Sequence, residues 1–386
     1  MDGDLAAPVV HDAEVANAAR RATRDPAAEV LEWAVTAIPH VGIIDTTGGL
    51  HLVVARVRSR DAEVSLSLVL KVLTRPPDDE CHSPGSWCYW RREAEFYGSD
   101  LATGPAGPLR APRPYGVVDR DGEAHVWMEQ VAAAAARWEP EDFRRAARAA
   151  GVGAAPYLTG RPLPDEPWLA HGFLRSILGD GGFWATTMQP DNDALWRSGL
   201  VEAFGPAARE RVQGLWAERD ALLAIAEALP RVFGHGDFHP RNVLLPAGVD
   251  DVVALDWGFC GPAPLGADLA DLVHLPAWFC DIEVADIPAV EHAAFAGYDA
   301  GLRETGWDGD PRLVRLGYAL ASALRMGACM PGWAWFMLGP QRPSSERLFG
   351  RPADAILSAW IALAEVYLDR ADEARALARE LGVVPP

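Results

Sequence analysis

Lysine is all but absent from this chain. Of its 35 lysine and arginine residues, 34 are arginine, and the one lysine is Lys71. Guanidinium and ammonium are not interchangeable where a compact point charge must sit against an anion, so a lone ammonium in an arginine-using chain is a candidate functional group. Basic charge is scarce as a whole. The formal net charge is −19, which excludes a polyanionic partner such as nucleic acid. Long apolar runs are also missing. None approaches the roughly 18 residues that a membrane-spanning helix needs, so no membrane partner is expected. Cysteine is sparse: Cys81, Cys88, Cys260, Cys280 and Cys329 are odd in number and scattered. That usage points to a reduced, cytoplasmic protein. Cys81-His82 lies near Cys88, but no second pair completes the set that a zinc site requires. The acidic start MDGDLAAPVVHDAE carries no signal-peptide pattern.

Against these absences stands one dense stretch, residues 232–256, reading VFGHGDFHPRNVLLPAGVDDVVALD. Apolar Val232 and Phe233 lead into a polar knot of His235, Gly236, Asp237, His239, Arg241 and Asn242. Two short apolar runs follow, separated by a break rich in Pro, Gly and Asp. Two strands joined by a turn are expected, a hairpin that would hold Asp237, Asn242 and Asp256 close together. Two carboxylates and an amide converging on one point are hard oxygen donors, which suit Mg²⁺ better than zinc. Acidity is concentrated just beyond. Residues 251–310 contain 12 Asp plus Glu and one basic residue, Arg303, a field that attracts cations. A solvated acidic surface accounts equally well for most of those side chains.

The run His235-Gly-Asp237-Phe-His239-Pro-Arg-Asn242, followed by Leu255-Asp256-Trp-Gly, resembles the aminoglycoside phosphotransferase and choline kinase superfamily. These are small-molecule kinases with a protein-kinase-like fold. The resemblance implies an α+β, bilobal architecture: a small β-sheet lobe over residues 1–130 and a larger, mainly helical lobe over 131–386. It implies transfer of the γ-phosphoryl of ATP or GTP to a hydroxyl of a small molecule, with Mg²⁺ as cofactor. An antibiotic such as an aminoglycoside or a nucleoside antibiotic is the expected acceptor. A metabolic sugar or amino-sugar kinase and a catalytically inactive nucleotide-binding module are the alternatives. By the same resemblance, Asp237 is the catalytic residue that takes the acceptor's proton, standing five residues before Asn242 as in a kinase catalytic loop. Asn242 and Asp256 hold the metal, and His235, His239 and Asp268 brace the loop.

Lys71 falls inside the apolar run VSLSLVLKVL, expected as a strand over residues 64–73. A lysine buried in a strand is costly unless paired. Its position matches the kinase lysine that grips nucleotide phosphates. The partner is expected from a helix over residues 87–101, which offers Glu93 and Glu95; an E-x-x-F/Y pattern like the family's favours Glu93. Val41 to Asp45 and residues 50–57 read as strands around a Thr46-Thr47-Gly48-Gly49 turn, whose backbone N–H groups could cradle phosphate. An ordinary hairpin turn accounts for that tetrapeptide as well. Residues 115–118 and 125–128 form two more strands, after which, as the resemblance implies, the backbone around Glu129 and Val131 would meet the adenine edge. Elsewhere, helical spacing predicts a helical segment over 11–37, broken near Asp25-Pro26, and helices over 141–150, 206–229, 267–279, 284–303, 311–330 and 353–380. Residues 74–86, rich in Pro, Asp and Ser, read as a long loop.

Overall fold

A computed structural model describes residues 10–39, 46–104, 107–132, 137–179 and 189–383. The chain divides into two compact units, one made of residues 1–134 and 244–259, the other of 135–243 and 260–386. The expected strand at Val41 to Asp45 lies outside the described residues.

The first unit is built on a five-stranded antiparallel sheet of order β1-β2-β3-β6-β5, where β1 is Glu29–Ala37, β2 Thr47–Ser59, β3 Ala62–Thr74, β5 Pro114–Arg120 and β6 Glu123–Glu129. Between β3 and β5 come helix α2 (Arg92–Gly98) and the short strand β4 (Leu109–Arg110). Helix α1 (Asp12–Thr23) lays Val15, Ala18 and Ala19 on one face of the sheet, against Val53, Ala55, Val57, Leu68, Leu70 and Val72. The alternation of a strand then sends Lys71, between Leu70 and Val72, to the opposite face. The segment expected as helical over 11–37, with a break near Asp25-Pro26, is helical only up to that break, as α1; beyond it the chain is the strand β1. Arg24 turns left-handed at the end of α1. From Glu29 the residues EVLEWAVTA alternate in burial over Glu32 to Thr36 and pair with β2. Apolar residues here satisfy periods of both 2 and 3.6, and only the neighbouring strand decides between them.

Thr47 to Gly49 also depart from expectation. They are the first residues of β2, not a turn, and Gly48 sits at a bulge in the pairing with β3. A Cβ at Gly48 would stand 2.1 Å from the Thr74 hydroxyl, and one at Gly49 2.4 Å from His51 Nε2. The cysteines are corrected too. Cys81 and Cys88 form a disulfide, while Cys260, Cys280 and Cys329 are buried and take no part in one. That bond closes the loop between β3 and α2, which also carries a 3₁₀ turn at Asp79–His82. Finally, α2 is a shorter helix than residues 87–101.

The second unit is mainly helical. Pro140–Leu158 packs along Ile287–Glu304 with almost no side-chain layer between them. A Cβ at Gly297 would fall 2.1 Å from Arg144 O, and one at Gly301 2.2 Å from Arg148 O. The antiparallel pair Arg231–Gly234 and Gly261–Pro264 feeds the chain into and out of the polar knot. Ala267–Trp278, Pro311–Ser322 and Ala353–Glu380 complete the frame. The helix expected over 206–229 is two, Gly205–Ala217 and Arg219–Ala228, and that over 311–330 ends at Ser322 in a π-helical turn, Ala323–Gly327. The chain passes between units within the short strand Val243–Leu244. It flanks Val252–Ala254 in a small sheet whose other edge is β4, paired in parallel with Val252–Ala254.

Candidate active site

In the first unit Lys71, 8% exposed, points its ammonium at two carboxylates. Nζ lies 2.5 Å from Glu93 Oε2 and 3.0 Å from Asp256 Oδ1. Glu93 is therefore the lysine's helical partner, and Glu95 lies against Arg91 instead. Burial alone would lower the Lys71 ammonium, but Asp256 and Glu93 outweigh it and raise it. Glu93 moves the other way from a free carboxylate's interest in ionising. Burial pushes it up to about 7, Asp256 adds to the rise and Lys71 opposes it.

Asp256 follows directly on Val252–Ala254 and Leu255, in the left-handed region at φ +59°. A non-glycine residue there is sparsely populated and is held only where its surroundings over-determine it. Those surroundings are visible. Trp257 stacks on Phe96 of α2, with centroids 4.4 Å apart and planes 9° apart, and its indole N–H donates to Ala254 O. Arg92, fully buried beside Glu93, donates to Gly258 O at 2.8 Å, and also to Trp87 O and Ser86 O in the disulfide-closed loop. The same helix thus supplies the lysine's partner and clamps the loop that carries Asp256.

The other positions expected at the nucleotide are less uniform. Glu129's carboxylate is taken by Arg110 and by Arg113 N–H, and its own N–H donates to Arg113 O. Val131 is a partly buried loop residue just past β6. Thr47, Gly48 and Gly49 lie at the start of β2, as above.

In the second unit, Asp237 has both carboxylate oxygens engaged. Oδ1 accepts from Arg325 at 2.8 Å; Oδ2 accepts from Asn242 Nδ2 at 2.8 Å and faces His239 Nε2 at 3.3 Å. Burial alone would raise this carboxyl, but His239, Arg325 and His235 hold it well below the usual range. Since Asn242 spends its amide N–H₂ on Asp237, its carbonyl oxygen is the end left for a cation. Asp268 accepts the backbone N–H groups of His235 and Gly236 at 2.9 and 3.0 Å. His235 Nδ1 in turn accepts from Asp237 N–H. The loop is pinned by its backbone as much as by its side chains.

Two residues of this knot carry little local signal. Arg325 comes from the π turn and also contacts Asp271 and Gly236 O. Asp271, one turn beyond Asp268 and fully buried, is pushed well up by burial despite Arg325. The available clue is a lone arginine in the apolar run LGYALASALRMGACM; a charge so placed must be paired to be buried.

Taken singly, each expected donor suits Mg²⁺: Asp256 in the first unit is an accessible carboxylate, with its side chain 48% exposed, and Asn242 in the second offers an amide oxygen. Mg²⁺ is commonly held through one or two carboxylates, with substrate phosphates and water completing its shell. Among the described residues no group of three or more His, Cys, Asp and Glu forms a ready-made metal cage. Likewise no described helix is long and apolar enough to cross a membrane.

Among solved structures the chain is similar to an amicoumacin kinase in complex with AMP-PNP and Ca²⁺, at 12% identity and TM-score 0.49, over 90% of this chain and 94% of that one. It is similar to a spectinomycin phosphotransferase in complex with ADP and spectinomycin, at 15% and 0.41, over 85% and 92%. A Plasmodium vivax ethanolamine kinase gives 12% and 0.48, over 88% and 83%. No curated protein matches the sequence. A family model does, across residues 92–305, more than half of the chain. That span includes Glu93, the run from His235 to Asn242, and Asp256, and on it the chain belongs to the phosphotransferase enzyme family.

Proposed function

We propose that the protein is an ATP-dependent, Mg²⁺-dependent O-phosphotransferase acting on a hydroxyl of a small molecule. The observation that carries the reading is the single lysine. In a chain with 34 arginines, the one ammonium is buried within 3.0 Å of both Glu93 and Asp256. A structural cation in such a chain would be arginine; a point charge that must exchange a carboxylate for phosphate is better served by lysine.

Lys71 would hold the nucleotide's α and β phosphates, oriented by Glu93. Backbone groups at Thr47, Gly48, Gly49, Glu129 and Val131 would complete the nucleotide contacts. Asp256 and Asn242 would be the protein's ligands to Mg²⁺, which when bound neutralises phosphate charge. Asp237 would orient the acceptor hydroxyl. In the transfer, the bond from the γ-phosphorus to the ADP oxygen breaks as a bond to the acceptor oxygen forms. The acceptor's proton then passes to Asp237 and on to solvent. A carboxylate held well below its usual range is a weak base, so it takes that proton late, once bond formation has made the hydroxyl acidic. Phosphoryl transfer suits this division, because positioning and charge neutralisation supply most of its catalysis.

For the acceptor we propose an antibiotic: a cationic aminoglycoside, favoured by the net charge of −19, or a nucleoside antibiotic, with resistance as the outcome and the cytoplasm as the compartment. The test is ADP release from MgATP against a panel of antibiotics and sugars, with product mass measured. A gain of one phosphoryl on an antibiotic is expected. Turnover confined to sugars would replace the acceptor, and no phosphorylated product with any of them would overturn the reading.

A further inference from the structure

We propose that Arg325 is a positioning residue for phosphoryl transfer: its guanidinium, locked in the π turn, fixes the Asp237 carboxylate in the orientation that receives the acceptor hydroxyl. The inference rests on Asp237 being the acceptor-orienting group.

The geometry is that of a clamp with three jaws. Nη2 donates to Asp237 Oδ1 at 2.8 Å, while Nη1 donates to Asp271 Oδ2 at 2.5 Å and to Gly236 O at 2.6 Å. The Phe173 ring lies 5.0 Å from the guanidinium carbon, within cation–π range. With Asn242 on Oδ2, rotating the Asp237 carboxylate would break a charge-assisted bond at one end or the other. Arg325 is itself held from below. It stands at the centre of the π turn, closed by Ala328 N–H to Ala323 O at 2.8 Å. Two residues on, a Cβ at Gly327 would come within 2.9 Å of the Tyr367 Cβ, so the turn sits hard against Ala353–Glu380. π turns inside helices are frequent at functional sites. A planar fork can bridge a side-chain carboxylate, a second carboxylate and a carbonyl at once; an ammonium on a flexible stem cannot do so in the same plane.

The experiment uses the full chain and MgATP, with the best acceptor from the panel or, failing one, water as acceptor in an ADP-release assay. Removing Arg325 alone would strand the Asp271 carboxylate, so the informative variant is Arg325→Met with Asp271→Asn. Misplacing a reacting group by about 1 Å can cost on the order of 100-fold. Accordingly kcat should fall about 10- to 100-fold while the Kd for MgATP by calorimetry stays within about twofold. Arg325→Lys keeps the charge and loses the fork, and its kcat should also stay low. In an Asp237→Asn background the Arg325/Asp271 pair should cost less than about twofold more, because residues acting through one group are not additive. Wild-type kcat in either variant, or an equal loss with and without Asp237, would overturn the assignment. If the double variant does not fold, the Arg325→Lys comparison decides alone. A wild-type protein that neither binds MgATP nor releases ADP fails differently: it overturns the kinase reading, and Arg325's role with it.

Discussion

In the first unit one ammonium is shared by two carboxylates; in the second one guanidinium is shared by two carboxylates. The arithmetic of charge is the same, but the surroundings are not. Asp256 has a side chain 48% exposed, whereas Asp237 and Asp271 are 20% and 6% exposed. Lys71 can let go of Asp256 toward an incoming anion without stranding a deeply buried charge. Arg325 has no such freedom, because each of its jaws closes on a group that burial would punish for being left alone. The contrast is between an ammonium beside one accessible carboxylate and a guanidinium closed on two that are mostly buried.

The largest effect should come from the rigid knot. Asp237→Asn keeps the shape and removes a charge, and general-base contributions run to about 10²–10⁴-fold. We expect a kcat loss in that range by steady-state assay, with MgATP affinity retained. Near-normal turnover would end the parallel between the two sites. Next comes the exchangeable side. Asp256→Ala should abolish Mg²⁺-dependent nucleotide binding in calorimetry and Asn242→Ala should weaken it; unchanged affinity in both would remove the metal from this site.

Lys71→Arg sharpens the comparison further. If Lys71 were an ordinary cation, arginine would replace it silently. As an exchanging point charge it should not be replaceable, and kcat/KM for ATP should drop at least about tenfold, or about 1.4 kcal/mol. The ligand-free Tm should hardly move.

The smallest expected effect concerns acid, and here the two units should respond with opposite sign. His274, fully buried between Tyr318 and Ser322, is pushed by burial from 6.5 to about 3. Its folded pKa is depressed, so it is held neutral. The stability it contributes is full above about pH 6.5 and is lost as pH falls toward about 3. Glu93 is raised from 4.5 to about 7. Its contribution is full below about pH 4.5 and is lost as pH rises through about 7. Melting curves between pH 4 and 8 should show a shallower acid limb in His274→Gln and a shallower loss toward neutral pH in Glu93→Gln. Parallel slopes in wild type and both variants would contradict this assignment of the two groups.

Much of this protein is legible in its sequence alone. The run from His235 to Asn242 and on to Leu255-Asp256-Trp-Gly already resembles the family to which the chain belongs. The strands β3, β5 and β6 and the helix Ala353–Glu380 are legible too, the strands as short apolar runs, two of them flanking a turn signal, and the helix by its amphipathic spacing. Tertiary structure decided the rest. Glu93 and Glu95 are two residues apart and look alike along the chain; only the packing of α2 turns the first to Lys71 and leaves the second with Arg91. Residues 29–37 fit two periods until β2 lay alongside. Cys81 and Cys88 looked like scattered thiols until the loop between β3 and α2 closed on itself. Arg325 stands 88 residues from Asp237 along the chain, and no local pattern links them. Chemistry that depends on spacing is written in the sequence, whereas partners chosen across tens of residues exist only once burial forces each charge to find one.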